Sequence, residues 1–152
     1  MTATWYKVQF HEASCQHCRR AFPLPLLGDQ SYGQFILHGD RGGVFGFLSA
    51  FEEPAWENIS EKLRRVQPFT PSPTRTGIGH LQHAVAALAD TINGQALVLF
   101  PVCPSCHSES IAYGDSRPLD VREIPSVTFH DYGLLSEDQK TEKVRELWRH
   151  FA

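Results

Sequence analysis

Two Cys-x-x-Cys pairs, Cys15–Cys18 and Cys103–Cys106, account for every cysteine in the chain. A Cys-x-x-Cys turn sets two sulfurs on one side of a tight loop, suited to two corners of a tetrahedron. Two such turns complete a four-thiolate site. Zinc takes four tetrahedral ligands, and thiolates are among its best. If the pairs share one ion, residues 19–102 form a closed loop between them. The entropy of closing it rises only with the logarithm of its length. Any fold must then bring residues 15 and 106 side by side.

Other readings stay open. Paired thiols also do redox exchange, but a thioredoxin-type motif sits at a helix N-terminus, and neither pair precedes a helical pattern. Unliganded buried cysteines are a third option. Iron fits the same tetrahedron as zinc. MTATWYKVQFHEAS lacks a basic segment followed by an apolar run, and no apolar stretch approaches 18 residues. The expectation is a cytoplasmic protein, where thiols stay reduced and bind metal more often than they form structural disulfides.

Both pairs follow strand-like segments. Residues 4–11, TWYKVQFH, alternate with Tyr6, Val8 and Phe10 on one side. QALVLFPV, 95–102, leads into Cys103. Residues 32–50 predict a hairpin turning at GDRGG. Helices are expected over 54–66, with Pro54 in its first turn, over about 78–92 with Asn93-Gly94 as a C-cap, and over 136–151, where Ser136 and Gln139 have capping-box spacing. The proline-rich 68–77 reads as a loop. Further strands are expected at 110–114 and 125–132. Together these predict an α+β domain over residues 1–152, with a small antiparallel sheet and about three helices. Residues 19–102 form a long insertion between the two cysteine pairs.

CQHCRRAF, 15–22, and CPSC, 103–106, resemble the knuckles of zinc-ribbon and rubredoxin-like proteins. The resemblance covers these two stretches, and it implies a zinc site with Cys15, Cys18, Cys103 and Cys106 as ligands. Many such knuckles carry glycine directly after the second cysteine; here those residues are Arg19 and His107. His17 and His107 flank the cysteines and could replace one, although four sulfurs already suffice.

Motifs for catalysis are weak. His107-Ser108-Glu109 follows its cysteine pair, whereas the zinc deaminase pattern requires the triplet first and a proline where Val102 stands. His80 and His83 share a helix face without a nearby carboxylate. Gly39, Gly42 and Gly43 lack the lysine and serine of a phosphate loop. A closed four-thiolate site has no open position for water, so it stabilises a fold and does not catalyse.

The formal charge of −3 argues against broad nucleic-acid binding. Glu52, Glu53 and Glu57 offer an acidic surface, and Arg19 and Arg20 a small basic one. The leading expectation is a non-catalytic zinc protein that binds a macromolecular partner, a protein of the adaptor or immunity type. The alternatives are a nucleic-acid-binding or regulatory zinc ribbon, in which Arg19 and Arg20 cluster with Lys62, Arg64 or Arg65, and a thiol redox switch.

Overall fold

The computed structural model describes residues 5–27, 33–66, 75–113 and 118–151, with backbone alone for 75–79 and 151. The class is α+β. The chain divides into two compact units, Met1–Ala50 with Thr91–Val127, and Phe51–Asp90 with Thr128–Ala152. The stretch between the cysteine pairs is not itself a unit. Its residues 19–50 and 91–102 belong to the first, and 51–90 to the second.

The first unit is built on β1 (Trp5–Cys15). This strand pairs antiparallel with β2 (Ala21–Leu26) on one edge. On the other edge it pairs with two later strands, which the chain order makes β6 (Ile111–Ala112) and β7 (Pro118–Pro125). Strands β3 (Gln34–Gly39), β4 (Phe45–Ser49) and β5 (Leu97–Val98) form a second sheet in the order β4-β3-β5. The chain just past β7 meets β4, where the Val127 amide donates to the Phe47 carbonyl at 2.8 Å.

The apolar pattern of β1 slips by one residue midway. Val8 and Phe10 are buried, and then Ala13 and Cys15. Its pairing with β2 runs unbroken from Gln9 to Ser14, so side chains keep alternating and the core changes sides. Val8 and Phe10 pack with Phe47 and Ile124. Ala13 and Cys15 pack with Phe22, Leu24 and Cys103. On the β7 edge the register skips Leu119, because Phe10 faces Asp120 and His11 faces Pro118. Such a bulge adds local twist.

Strand β2, AFPLPL, holds two prolines and carries no strand signal. Its register explains the tolerance. Cys15 donates its amide to the Arg20 carbonyl at 2.9 Å, so residues 20, 22, 24 and 26 bond toward β1. Pro23 and Pro25 fall on the outward positions of an edge strand, where no N–H is needed.

Three strand and turn expectations change. Asn93 and Gly94 do not cap a helix, because α2 (Arg75–Leu88) ends earlier. Both adopt positive φ, 50° and 75°, between the antiparallel bridge of Ile92 and Gln95. Two consecutive left-handed residues are what a two-residue hairpin turn requires. The strand expected at 95–102 shrinks to Leu97–Val98. The strand expected at 125–132 gives way to β7, which ends at Pro125, and to the short helix α3 (His130–Gly133).

The second unit is helical among the described residues, with α1 (Pro54–Val66), α2, α3 and α4 (Glu137–Phe151). Ile59, Leu63, Ala84, Val85 and Val144 form its interior. The capping box of α4 is present: the Ser136 amide donates to Gln139 Oε1 at 2.8 Å, and the Gln139 amide donates to Ser136 Oγ at 3.2 Å. Asp90 orders the start of α3, its carboxylate accepting from the Thr128 hydroxyl and the His130 and Asp131 amides. Phe129 and Tyr132 are buried, and the Tyr132 hydroxyl donates to Asn58 at 2.6 Å. Of the expected 68–77 loop, residues 68–74 lie outside the described residues, and 75–77 open α2.

Candidate metal centre

Strand β1 ends at Cys15, and β5 leads through Val102 to Cys103, so the two Cys-x-x-Cys turns are delivered to one place. The four Sγ atoms all lie within 4.8 Å of one another. Two contacts run between the turns, Cys15 to Cys106 at 3.5 Å and Cys18 to Cys103 at 3.6 Å. A disulfide would need about 2.05 Å, and all four cysteines are free. Metal–sulfur bonds of about 2.3 Å in a tetrahedron put sulfurs about 3.8 Å apart. The donor set and its spacing fit one ion of that kind, and the four cysteines can hold it.

The two turns repeat one hydrogen-bond pattern. Cys15 donates its amide to the Arg20 carbonyl, and Cys103 to the Ser108 carbonyl, each at 2.9 Å. The Arg19 amide returns to the Cys15 carbonyl, and the His107 amide to the Cys103 carbonyl, also at 2.9 Å. Amides inside each turn point at the first sulfur: His17 and Cys18 at Cys15, and Ser105 at Cys103. Backbone N–H groups aimed at sulfur favour the thiolate, the form that binds metal. The Cys18 amide leads in holding the Cys15 thiol down to about 6. Cys106 goes the other way, to about 12. The Ser108 amide lowers it, but burial and the three neighbouring sulfurs outweigh that amide.

Each turn contributes one buried sulfur residue and one half-buried one. Cys15 and Cys103 are 1% and 0% exposed, while Cys18 and Cys106 are intermediate. Phe22, Ala13 and Leu24 cover the buried side, with Phe45 and Ile111 beside them.

Arg19 and His107, the residues that replace glycine, have φ of 68° and 64°. The turn demands the left-handed conformation, and these side chains tolerate it at a cost. His17 and His107 are exposed and stand outside the four-sulfur group. Among the described residues no second group of three or more metal-binding side chains occurs. His80 packs edge-on against Trp148, with ring centroids 4.8 Å apart.

A supporting layer is not visible in the cysteine spacing. The β3–β4 turn leans on the second knuckle through Gly42. A Cβ there would lie 2.6 Å from the Val102 carbonyl and 2.7 Å from Pro104. Gln95 fixes that turn, accepting the Arg41 amide at 2.9 Å and donating to the Gly42 carbonyl at 3.1 Å. The glycine cluster was readable as a turn. Its contact with residues sixty positions away left no local signal.

The surface residues singled out in the sequence fall in different units. Arg19 and Arg20 are exposed in the first, where Arg20 reaches Ser105 Oγ at 3.5 Å. Glu52 and Glu57 are exposed in the second; Glu53 is half-buried and accepts the Ala55 amide at the start of α1. Lys62 is buried against Glu137, Arg64 donates to Ser60, and Arg65 pairs with Glu61. Lys62 is therefore not part of any basic surface. Comparison with protein-family models, curated proteins and solved structures finds no match for this chain.

Proposed function

We propose that the four cysteines bind one zinc ion as a structural clasp, and that the protein acts without catalysis by binding a protein partner. The observation that carries the metal reading is the convergence of four sulfurs within 4.8 Å from turns that repeat the same amide-to-sulfur pattern. Four thiolates fill a tetrahedral ion, leaving no position for an activated water. Such a site contributes folding energy, because its ligands converge only in the folded chain. Zinc is chosen over iron as the commoner occupant of four thiolates. The exposed carboxylates of Glu52 and Glu57 on the helical unit suit a basic protein surface.

Metal analysis of the purified chain should return one zinc per molecule, and Cys103→Ser should lose it together with much of the thermal stability. A folded, metal-free wild-type protein whose melting ignores a chelator overturns the clasp. Affinity capture should recover a stoichiometric protein partner that is lost when Glu52 and Glu57 are reversed to lysine; retention of the partner by that variant overturns the surface assigned here.

A further inference from the structure

Strand β7 has an unusual exposure. Its residues Pro118 to Glu123 are all exposed, and β1 is its only strand partner among the described residues. Hydrogen-bond alternation fixes which of its backbone groups point away from β1. Cys15 bonds across to the β2 side and Gln16 to Ser110 on the opposite side. Even-numbered residues of β1 therefore bond toward β7, and Tyr6, Val8 and Phe10 engage Ile124, Arg122 and Asp120. The amide and carbonyl of Val121 and Glu123 point outward. The Val127 amide, on the same alternation, points outward as well and is taken up by β4.

We propose that this edge pairs with the same edge of a second copy of the chain, antiparallel about a two-fold axis at Val121. The sequence DVR is self-complementary in that register. Asp120 of one copy stands opposite Arg122 of the other, and Arg122 opposite Asp120. These are non-hydrogen-bonded positions, where opposed side chains come closest. Val121 stands opposite itself, and its side chain, 57% exposed, gains an apolar neighbour. Arg122 is already oriented for the contact. It bonds Asp120 at 2.9 Å and lies 4.8 Å over the Phe10 ring, so little freedom is lost on pairing. Pro118, the Leu119 bulge and Pro125 bound the free stretch and prevent the ladder from sliding. A partner strand of another protein would find the same backbone groups but not the matched charges.

Sedimentation equilibrium on the intact chain tests this. Wild type should associate to a dimer as concentration rises through the micromolar range. Asp120→Arg and Arg122→Asp, each alone, should weaken association at least tenfold, because each sets like charges face to face. An equimolar mixture of the two variants restores opposite charges at both positions and should regain a heterodimer. That recovery separates lost pairing from misfolding, since a misfolded variant cannot be rescued by mixing. A wild type that stays monomeric throughout the range, or variants that associate as wild type does, overturns the proposal.

Discussion

Arg19 and His107 occupy the same place in their respective turns, directly after the second cysteine, and both hold left-handed backbone, φ 68° and 64°. A side chain in that region clashes with its own backbone, whereas glycine enters it freely. Arg19→Gly and His107→Gly should each raise stability by about 0.5–1 kcal/mol, since the relief exceeds glycine's extra unfolded-state entropy. Urea denaturation curves of the metal-loaded protein measure this. A loss of stability in both variants would count against the shared turn geometry.

Gly42 predicts the opposite sign. Its φ is +81°, and an added methyl group would meet the backbone of Val102 and Pro104. Backbone cannot swing aside as a side chain can. Gly42→Ala should cost about 2 kcal/mol or more and should weaken metal retention against a chelator, although residue 42 is no ligand. Neighbouring Gly43 also has positive φ, but among the described residues beyond its chain neighbours a Cβ there would meet only the side chain of Pro104, at 3.9 Å. Gly43→Ala should therefore retain metal better than Gly42→Ala, and equal losses in the two would refute the contact argument.

His38 makes the fold acid-sensitive. It is 7% exposed, its Nδ1 has no hydrogen-bond partner among the described residues, and burial pushes it down to about 4. The unfolded chain takes up this proton near pH 6.5, before the folded chain does. Its contribution is therefore complete above pH 6.5, declines as pH falls from there to about 4, and is constant below. The total is about 3 kcal/mol. Stability curves of wild type and His38→Phe should converge or cross within that window. Parallel curves would show that His38 does not carry the dependence.

Lys62 is 3% exposed and reaches Glu137, whose carboxyl the Lys62 hydrogen bond, foremost, holds below its ordinary value of 4.5. A depressed carboxylate stabilises above its unfolded pKa, and the effect is lost as pH falls through the folded one. Glu137→Gln should therefore be destabilising at pH 7 and progressively less so on acidification below 4.5. Lys62→Met removes the charge while keeping the packing, and is expected to be neutral or stabilising. Thermal melts of the two variants across pH 3–7 decide both points.

The elements with one buried face were legible in the sequence. Helix α1 keeps a single apolar side, and its expected bounds, 54–66, match. The β3–β4 hairpin was readable from its flanking apolar runs and glycines. Legibility failed where tertiary context overrode local pattern. β2 leaves no strand signal because prolines signal loops, and only its register beside β1 makes them harmless. The Asn93-Gly94 pair reads equally as a helix end, because a C-cap and a tight turn use the same left-handed residues. The region 125–132 looked strand-like from Val127, Phe129 and Tyr132; Asp90, far off in sequence, caps part of it into a helical turn. At the candidate site, the cysteines were visible from spacing alone. The contribution of Gly42 and Gln95 was not, since it depends on a hairpin folding back onto the second knuckle.

Pro23 and Pro25 also decide how the sheet meets the outside. Both stand where an outward N–H would be offered, so that rim presents carbonyls with few donors between them and is a poor template for an incoming strand. The rim along Val121 and Glu123 keeps both donors and acceptors. A sheet with one mute side and one receptive side does not propagate by repeated strand addition: once the receptive side is taken, growth of that sheet has nowhere to continue.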